Sequence, residues 1–196
     1  MGAEPLAESS APQVGSNVRA FFGLPVPEAQ RGLLAEFVGA CAEAAPDFRW
    51  TPAANLHLTV RFVGQVERAL VEGIADRLAA MSLPAFDLEL GDLGTFRRGR
   101  LVRVVWLGLR SGAPAVTTLA ATVEAECANA GLDGEARPFQ PHLTLARARP
   151  RDGAVLPPLP EQPRLSGWRA TEVVLYSSRL GRPGSVYEPL RVVQLN

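Results

Sequence analysis

Two stretches of this 196-residue chain, NLHLTVR at 55–61 and PHLTLAR at 141–147, share the letters His-Leu-Thr followed by an aliphatic residue, and together they hold both of its histidines. In the first, Leu56, Leu58, Val60 and Phe62 alternate with His57, Thr59 and Arg61. That period of two marks a strand with one buried face. Histidine and threonine two residues apart leave such a strand on the same side, while the leucine between them enters a core.

The likeness extends upstream. VRAFFGL at 18–24 lies on VRVVWLGL at 102–109, with Val18 meeting Val102 at an offset of 84 and Gly23 meeting Gly108 at 85, the same separation as His57 and His142. An amphipathic segment follows each strand. Leu33, Leu34, Phe37, Val38 and Cys41 form one helical stripe, and Val116, Leu119, Ala120, Val123 and Cys127 form the other. A chain that reads strand, helix and His-x-Thr strand twice over is most economically built as two related lobes. Packed about a pseudo-two-fold axis, such lobes bring the two histidines face to face across a groove.

The remaining segments complete an α+β chain with about seven strands and three helices. Leu70, Val71, Ile74, Leu78 and Met81 mark a further helix, FDLELGDLG a strand, and ATEVVLYSSRL and VYEPLRVVQL a closing pair joined by GRPG. Residues 1–16 lack periodicity and are expected to be a flexible tail, leaving 17–196 as a single bilobal domain. A chain of this length buries a sizeable core. Cys41 and Cys127 fall at apolar helix positions, as reduced core residues do.

Twenty basic and twenty acidic residues cancel. A balance of that kind does not suit a protein that tracks a long duplex, though a small or terminal anion remains a fitting ligand. Arginine dominates the basic residues and grips phosphate in a bidentate fork. No apolar run approaches the roughly 18 residues of a membrane span, and the first residues lack the pattern of a signal peptide. The expected setting is cytoplasmic, with no membrane partner and a monomeric chain.

Two opposed imidazoles suit acid–base catalysis, since histidine alone holds either protonation state near neutral pH. The hydroxyls of Thr59 and Thr144 are placed to hydrogen-bond phosphate oxygens without adding charge. Neither histidine has a Cys, Asp or Glu within four residues, so a zinc site is disfavoured. The chain lacks a G-x-S-x-G elbow and a Walker or Rossmann glycine pattern. No metal or cofactor is expected.

RAFFGLPVP, NLHLTVRFVGQV, VVWLGL, RPFQPHLTLAR and the late LYSSRL and YEPL together resemble the RNA 2′,3′-cyclic phosphodiesterases of the 2H phosphoesterase superfamily, also called 2′-5′ RNA ligases. The resemblance runs from about Arg19 to the C-terminus. It implies two antiparallel-rich lobes flanking a central cleft, with helices on their outer faces. It also implies metal-independent opening of 2′,3′-cyclic phosphates on RNA ends or nucleotides to 2′-phosphomonoesters. In that scheme His57 is the proton donor to the departing 3′ oxygen, His142 the proton acceptor from water, and Thr59 and Thr144 phosphate ligands. The residues alone leave the acid and base interchangeable. They also leave open ligation of a cyclic end to a 5′-hydroxyl, and a non-catalytic RNA-end binding module.

Three further sets of side chains are candidates. Arg61, four residues past His57, should share its face, whereas Arg147, five past His142, points away on a regular strand. Arg147 closes the family-like HLTLAR, and its expected phosphate contact needs a bulge or strand end near Ala146. Phe139 leads Trp50 and Tyr176 as a stacking surface for a base, because it stands three residues before His142.

Overall fold

The computed structural model describes residues 16–181 and 184–196. The expected tail therefore lies outside the described residues except for Ser16, and so do residues 182–183 of the GRPG turn. The alternating segments form the strands β1 (Asn17–Pro25), β3 (His57–Glu67), β4 (Phe86–Arg98), β5 (Leu101–Ser111), β6 (Leu143–Ala148), β8 (Glu172–Gly181) and β9 (Gly184–Gln194). The amphipathic segments form the helices α1 (Glu28–Ala44), α2 (Arg68–Ala79) and α3 (Ala113–Asn129). Two strands of three residues each, β2 (Phe48–Trp50) and β7 (Trp168–Ala170), and a short 3-10 turn at Ala53–Asn55 are additions. Three residues carry too little alternation to be read as a strand.

All strands join one antiparallel sheet in the order β7-β4-β5-β6-β3-β1-β8-β9, with β2 pairing β6 beside that path. The order is symmetric about its middle. β6 mirrors β3, β5 mirrors β1, and the outer pairs β4, β7 and β8, β9 mirror each other, so the expected duplication is the plan of the sheet. The lobes meet through hydrogen bonding: β3 and β6 pair at Leu58↔Leu143, and both leucines are fully buried.

Partner strands refine the letter match of the first repeat. Leu24 faces Leu58 and Gly23 faces Thr59, while Leu107 faces Leu143 and Trp106 faces Thr144. The counterpart of Gly23 is therefore Trp106 rather than Gly108. A slide of two residues leaves the in-and-out alternation of a strand unchanged, so apolar letters alone cannot fix it.

The helical stripes bury as patterned at Leu34, Phe37, Val38 and Cys41 on α1, at Val71, Ile74 and Leu78 on α2, and at all five expected positions of α3. Leu33 and Leu70 differ: each sits at the edge of its stripe and stays exposed. α3 packs on β3, and α2 packs on β9, β3 and α3. Both cysteines are free and fully buried, and burial pushes each thiol up to about 11. Among the described residues no helix is long and apolar enough to cross a membrane.

Candidate active site

The pair Leu58↔Leu143 lies on the pseudo-two-fold axis and fixes the chemistry around it. Antiparallel continuation of that register sets His57 opposite Thr144 and Thr59 opposite His142. Each imidazole is held by the same local device. Nδ1 of His57 donates to the carbonyl of Asn55 at 2.7 Å, and Nδ1 of His142 donates to the carbonyl of Gln140 at 2.7 Å. A carbonyl only accepts, so Nδ1 carries the hydrogen in both rings. Nε2 is thereby the exchanging nitrogen on each side, and that of His57 stands 3.1 Å from the Thr59 hydroxyl.

Aromatic rings wall both histidines. Phe21 lies 4.6 Å from the His57 centroid, Tyr187 meets it edge-on at 5.3 Å, and Tyr176 stands at 6.3 Å. His142 has Phe96 edge-on at 5.1 Å and Trp106 at 6.1 Å. Burial in these surroundings is the main influence on both imidazoles, and it lowers their proton affinity below the ordinary histidine value. The hydrogen bonds to Asn55 and Gln140 act in the opposite sense. The charge of Arg147 lowers both rings further, and His142 does the same to His57.

The two lobes share an irregularity, again 85 residues apart. In β3, Gly23↔Thr59 is followed by Phe22↔Arg61, leaving Val60 without a partner. In β6, Trp106↔Thr144 is followed by Val105↔Ala146, leaving Leu145 without one. Each extra residue reverses the alternation beyond it. Val60 and Arg61 are consecutively buried, as are Leu145 and Ala146, and the next residues, Phe62 and Arg147, emerge. Arg147 thus stands on the face of Thr144, within electrostatic reach of both histidines.

The same bulge overturns the expectation that Arg61 shares the face of His57. Arg61 is buried against α3, where it pairs with Glu124, donates to Glu135 Oε1 at 2.9 Å and to the carbonyl of Asp133 at 2.6 Å. Removing one partner of a fully buried ion pair costs roughly 3–5 kcal/mol. Glu124 and Glu135 are 33% and 48% exposed, which softens the loss. Arg61→Ala should lower unfolding free energy by about 2 kcal/mol. Its turnover per folded molecule should stay near wild type, as denaturant titration alongside an activity assay would measure.

Of the stacking candidates, Phe139 and Phe62 line a cavity of about 620 Å³ beside Thr59 and His142, with Phe96 on its wall. Trp50 packs into the core and its indole N–H donates to the carbonyl of Ala45 at 3.1 Å. Tyr176 is stacked on Phe21 at 5.1 Å. Sequence reading missed the aromatic walls, although Phe21, Trp106 and Tyr187 all lie in the motifs RAFFGLPVP, VVWLGL and YEPL. Among the described residues no three His, Cys, Asp or Glu side chains gather as a candidate metal site.

Comparison with known proteins gives the chain relatives in sequence and in fold. The family model described as the 2′-5′ RNA ligase superfamily matches residues 26–182. An Aeropyrum pernix protein named RNA 2′,3′-cyclic phosphodiesterase is 31% identical over 169 residues, covering 83% of this chain and 95% of its own. An Escherichia coli protein of the same name is 34% identical over 140 residues, covering 71% of this chain and 75% of its own. In three dimensions the chain is similar to E. coli LigT crystallised with 3′-AMP, with a TM-score of 0.77, 28% identity and coverage of 92% and 99%. A crystal structure described as a phosphoesterase gives 0.78, 30% identity and the same coverage.

Proposed function

The chain belongs to the 2′-5′ RNA ligase superfamily, and from that footing we propose that it hydrolyses 2′,3′-cyclic phosphates at RNA ends to 2′-phosphomonoesters, using its two histidines and no metal. The observation that carries the reading is the matched presentation of two Nε2 atoms, each fixed by a carbonyl two residues upstream. The relatives named RNA 2′,3′-cyclic phosphodiesterase supply the substrate class.

In the reaction, His142 Nε2 takes a proton from water as its oxygen bonds to phosphorus. The P–O3′ bond breaks, and His57 Nε2 gives its proton to the departing 3′ oxygen. The choice of donor and acceptor follows the family resemblance. Thr59 and Thr144 hold the non-bridging oxygens, and Arg147 opposes the charge that grows on them. Phe139 and the cavity beside it receive the terminal base by stacking. A short RNA ending in 2′,3′-cyclic phosphate, incubated with the protein in excess chelator, should yield a 2′-phosphate. A 3′-phosphate product would exchange the roles of the histidines, and inactivity restored only by a divalent ion would refute the metal-free scheme.

The lowered proton affinities give the reaction a pH signature. The profile of kcat/KM reports the free enzyme, where the base must be neutral and the acid protonated. With both imidazoles shifted down, the bell should centre on the acid side of the ordinary value of 6.5. An anionic phosphate bound between the rings favours their protonated forms, so the kcat profile should move to higher pH. Initial rates across pH at limiting and saturating substrate would measure both.

A further inference from the structure

The neutral overall balance conceals a local excess of positive charge at the edge of the active site. All twenty basic residues are arginines. Nine of them, among the described residues, hold a carboxylate within salt-bridge distance, from Arg31–Glu28 to Arg191–Glu72. Arg49, Arg103 and Arg147 are not among these nine, and they lie together.

Strand register explains their convergence. Arg49 of β2 is the direct cross-strand partner of Arg147 of β6, so the two guanidiniums leave the sheet on one side. On the other flank Val104 of β5 faces Arg147. Between Phe96↔Val104 and Arg97↔Val102 the register slips, leaving Arg103 as the extra residue of a bulge. A bulge of this kind turns Arg103 to the side of Val104. Partial burial is the main influence lowering the proton affinity of Arg147, and Arg103 is near enough for its charge to lower it further; all three residues keep exposed surface. Like charges directly opposite on a sheet are destabilising. Three of them with no carboxylate within salt-bridge distance among the described residues fit a place that receives an anion.

Position says which anion. The row Arg49, Arg147, Val104, Phe96 crosses four strands, and Phe96 touches His142. The arginines therefore begin at the reacting centre and extend away from it. We propose that Arg49 and Arg103, flanking Arg147, form a second phosphate subsite that takes the phosphodiester 5′ to the terminal nucleotide, making RNA strands rather than nucleoside 2′,3′-cyclic phosphates the preferred substrates. This rests on the hydrolase reading of the site. It accommodates the neutral net charge, because one or two phosphates are gripped by bidentate forks and the rest of the strand is left free.

The test compares adenosine 2′,3′-cyclic phosphate, which has no 5′ phosphate, with a tetranucleotide carrying the same end. Wild type should favour the tetranucleotide in kcat/KM by about tenfold or more, the scale of charge-assisted hydrogen bonds. The double variant Arg49→Ala/Arg103→Ala should lose that preference while its rate on the adenosine compound stays within about twofold, and Arg→Lys at both positions should restore part of it. Salt dependence of the tetranucleotide reaction should weaken by a log–log slope of about one. Equal losses on both substrates, or loss on neither, would overturn the subsite. Titration with a 3′-phosphorylated tetranucleotide separates this proposal from the hydrolase reading. Weaker binding by the double variant supports the subsite even where no cyclic phosphate is opened, and equal binding overturns it even where hydrolysis proceeds.

Discussion

His57→Ala and His142→Ala should each lower kcat/KM on a 2′,3′-cyclic RNA end by about 10³-fold, within the range contributed by a positioned general acid or base. Neither change should unfold the protein. Each ring is hydrogen-bonded to a carbonyl of its own strand approach, Asn55 or Gln140, rather than to another element. Circular dichroism and thermal melts close to wild type would therefore accompany the loss. The double variant should be little worse than either single one, because donor and acceptor act in one step and their deletions do not add. Residual turnover would come from Thr59, Thr144 and Arg147, the groups proposed to hold the phosphate. Equal conversion by wild type and both variants would remove the histidines from the mechanism.

Gly94→Ala should cost about tenfold or more in turnover together with roughly 1–3 kcal/mol of stability, the usual range for overpacking. Gly94 faces Trp106 across β4 and β5, and the indole lies over it. A Cβ at residue 94 would come within 2.2–2.5 Å of three ring atoms of Trp106. The indole must move, and it packs with Phe96 around His142. A shift of about 1 Å in a catalytic group is enough to cost two orders of magnitude in rate. The first lobe meets the same demand differently. There Gly23 stands where Trp106 stands in the second, and a Cβ on it would touch Cδ2 of His57 at 3.2 Å. Gly39, in α1 with open space around it, is the control: Gly39→Ala should leave activity intact and add about 0.5–1 kcal/mol of stability. The comparison is made by melting each variant and assaying it at matched folded fraction.

What the sequence disclosed follows from what periodicity can encode. The alternation in NLHLTVR and PHLTLAR, and the offset of 85 between them, placed two His-x-Thr strands in equivalent lobes, and β3 and β6 are neighbours across the axis. Val60 and Leu145 look like ordinary strand residues, so alternation alone does not show the bulges they form, and the one beside Ala146 is expected only because the family resemblance needs Arg147 at the phosphate. The two bulges reverse the faces of Arg61 and Arg147, and the alternation argument fails for both arginines at once. The aromatic walls were hidden for another reason. Phe21, Phe96, Trp106 and Tyr187 come from four strands spread over most of the chain, and only the assembled sheet brings them, with the stacking candidate Tyr176 of a fifth, to the histidines.

The most direct test of the two-histidine account is the pH dependence of kcat/KM for each single variant beside wild type. Protonation of the base produces the fall at low pH, and deprotonation of the acid produces the fall at high pH. His142→Ala should lose the low-pH fall and keep the other, while His57→Ala should lose the high-pH fall and keep the first. Two residual profiles that both remain bell-shaped would contradict acid–base catalysis by this pair.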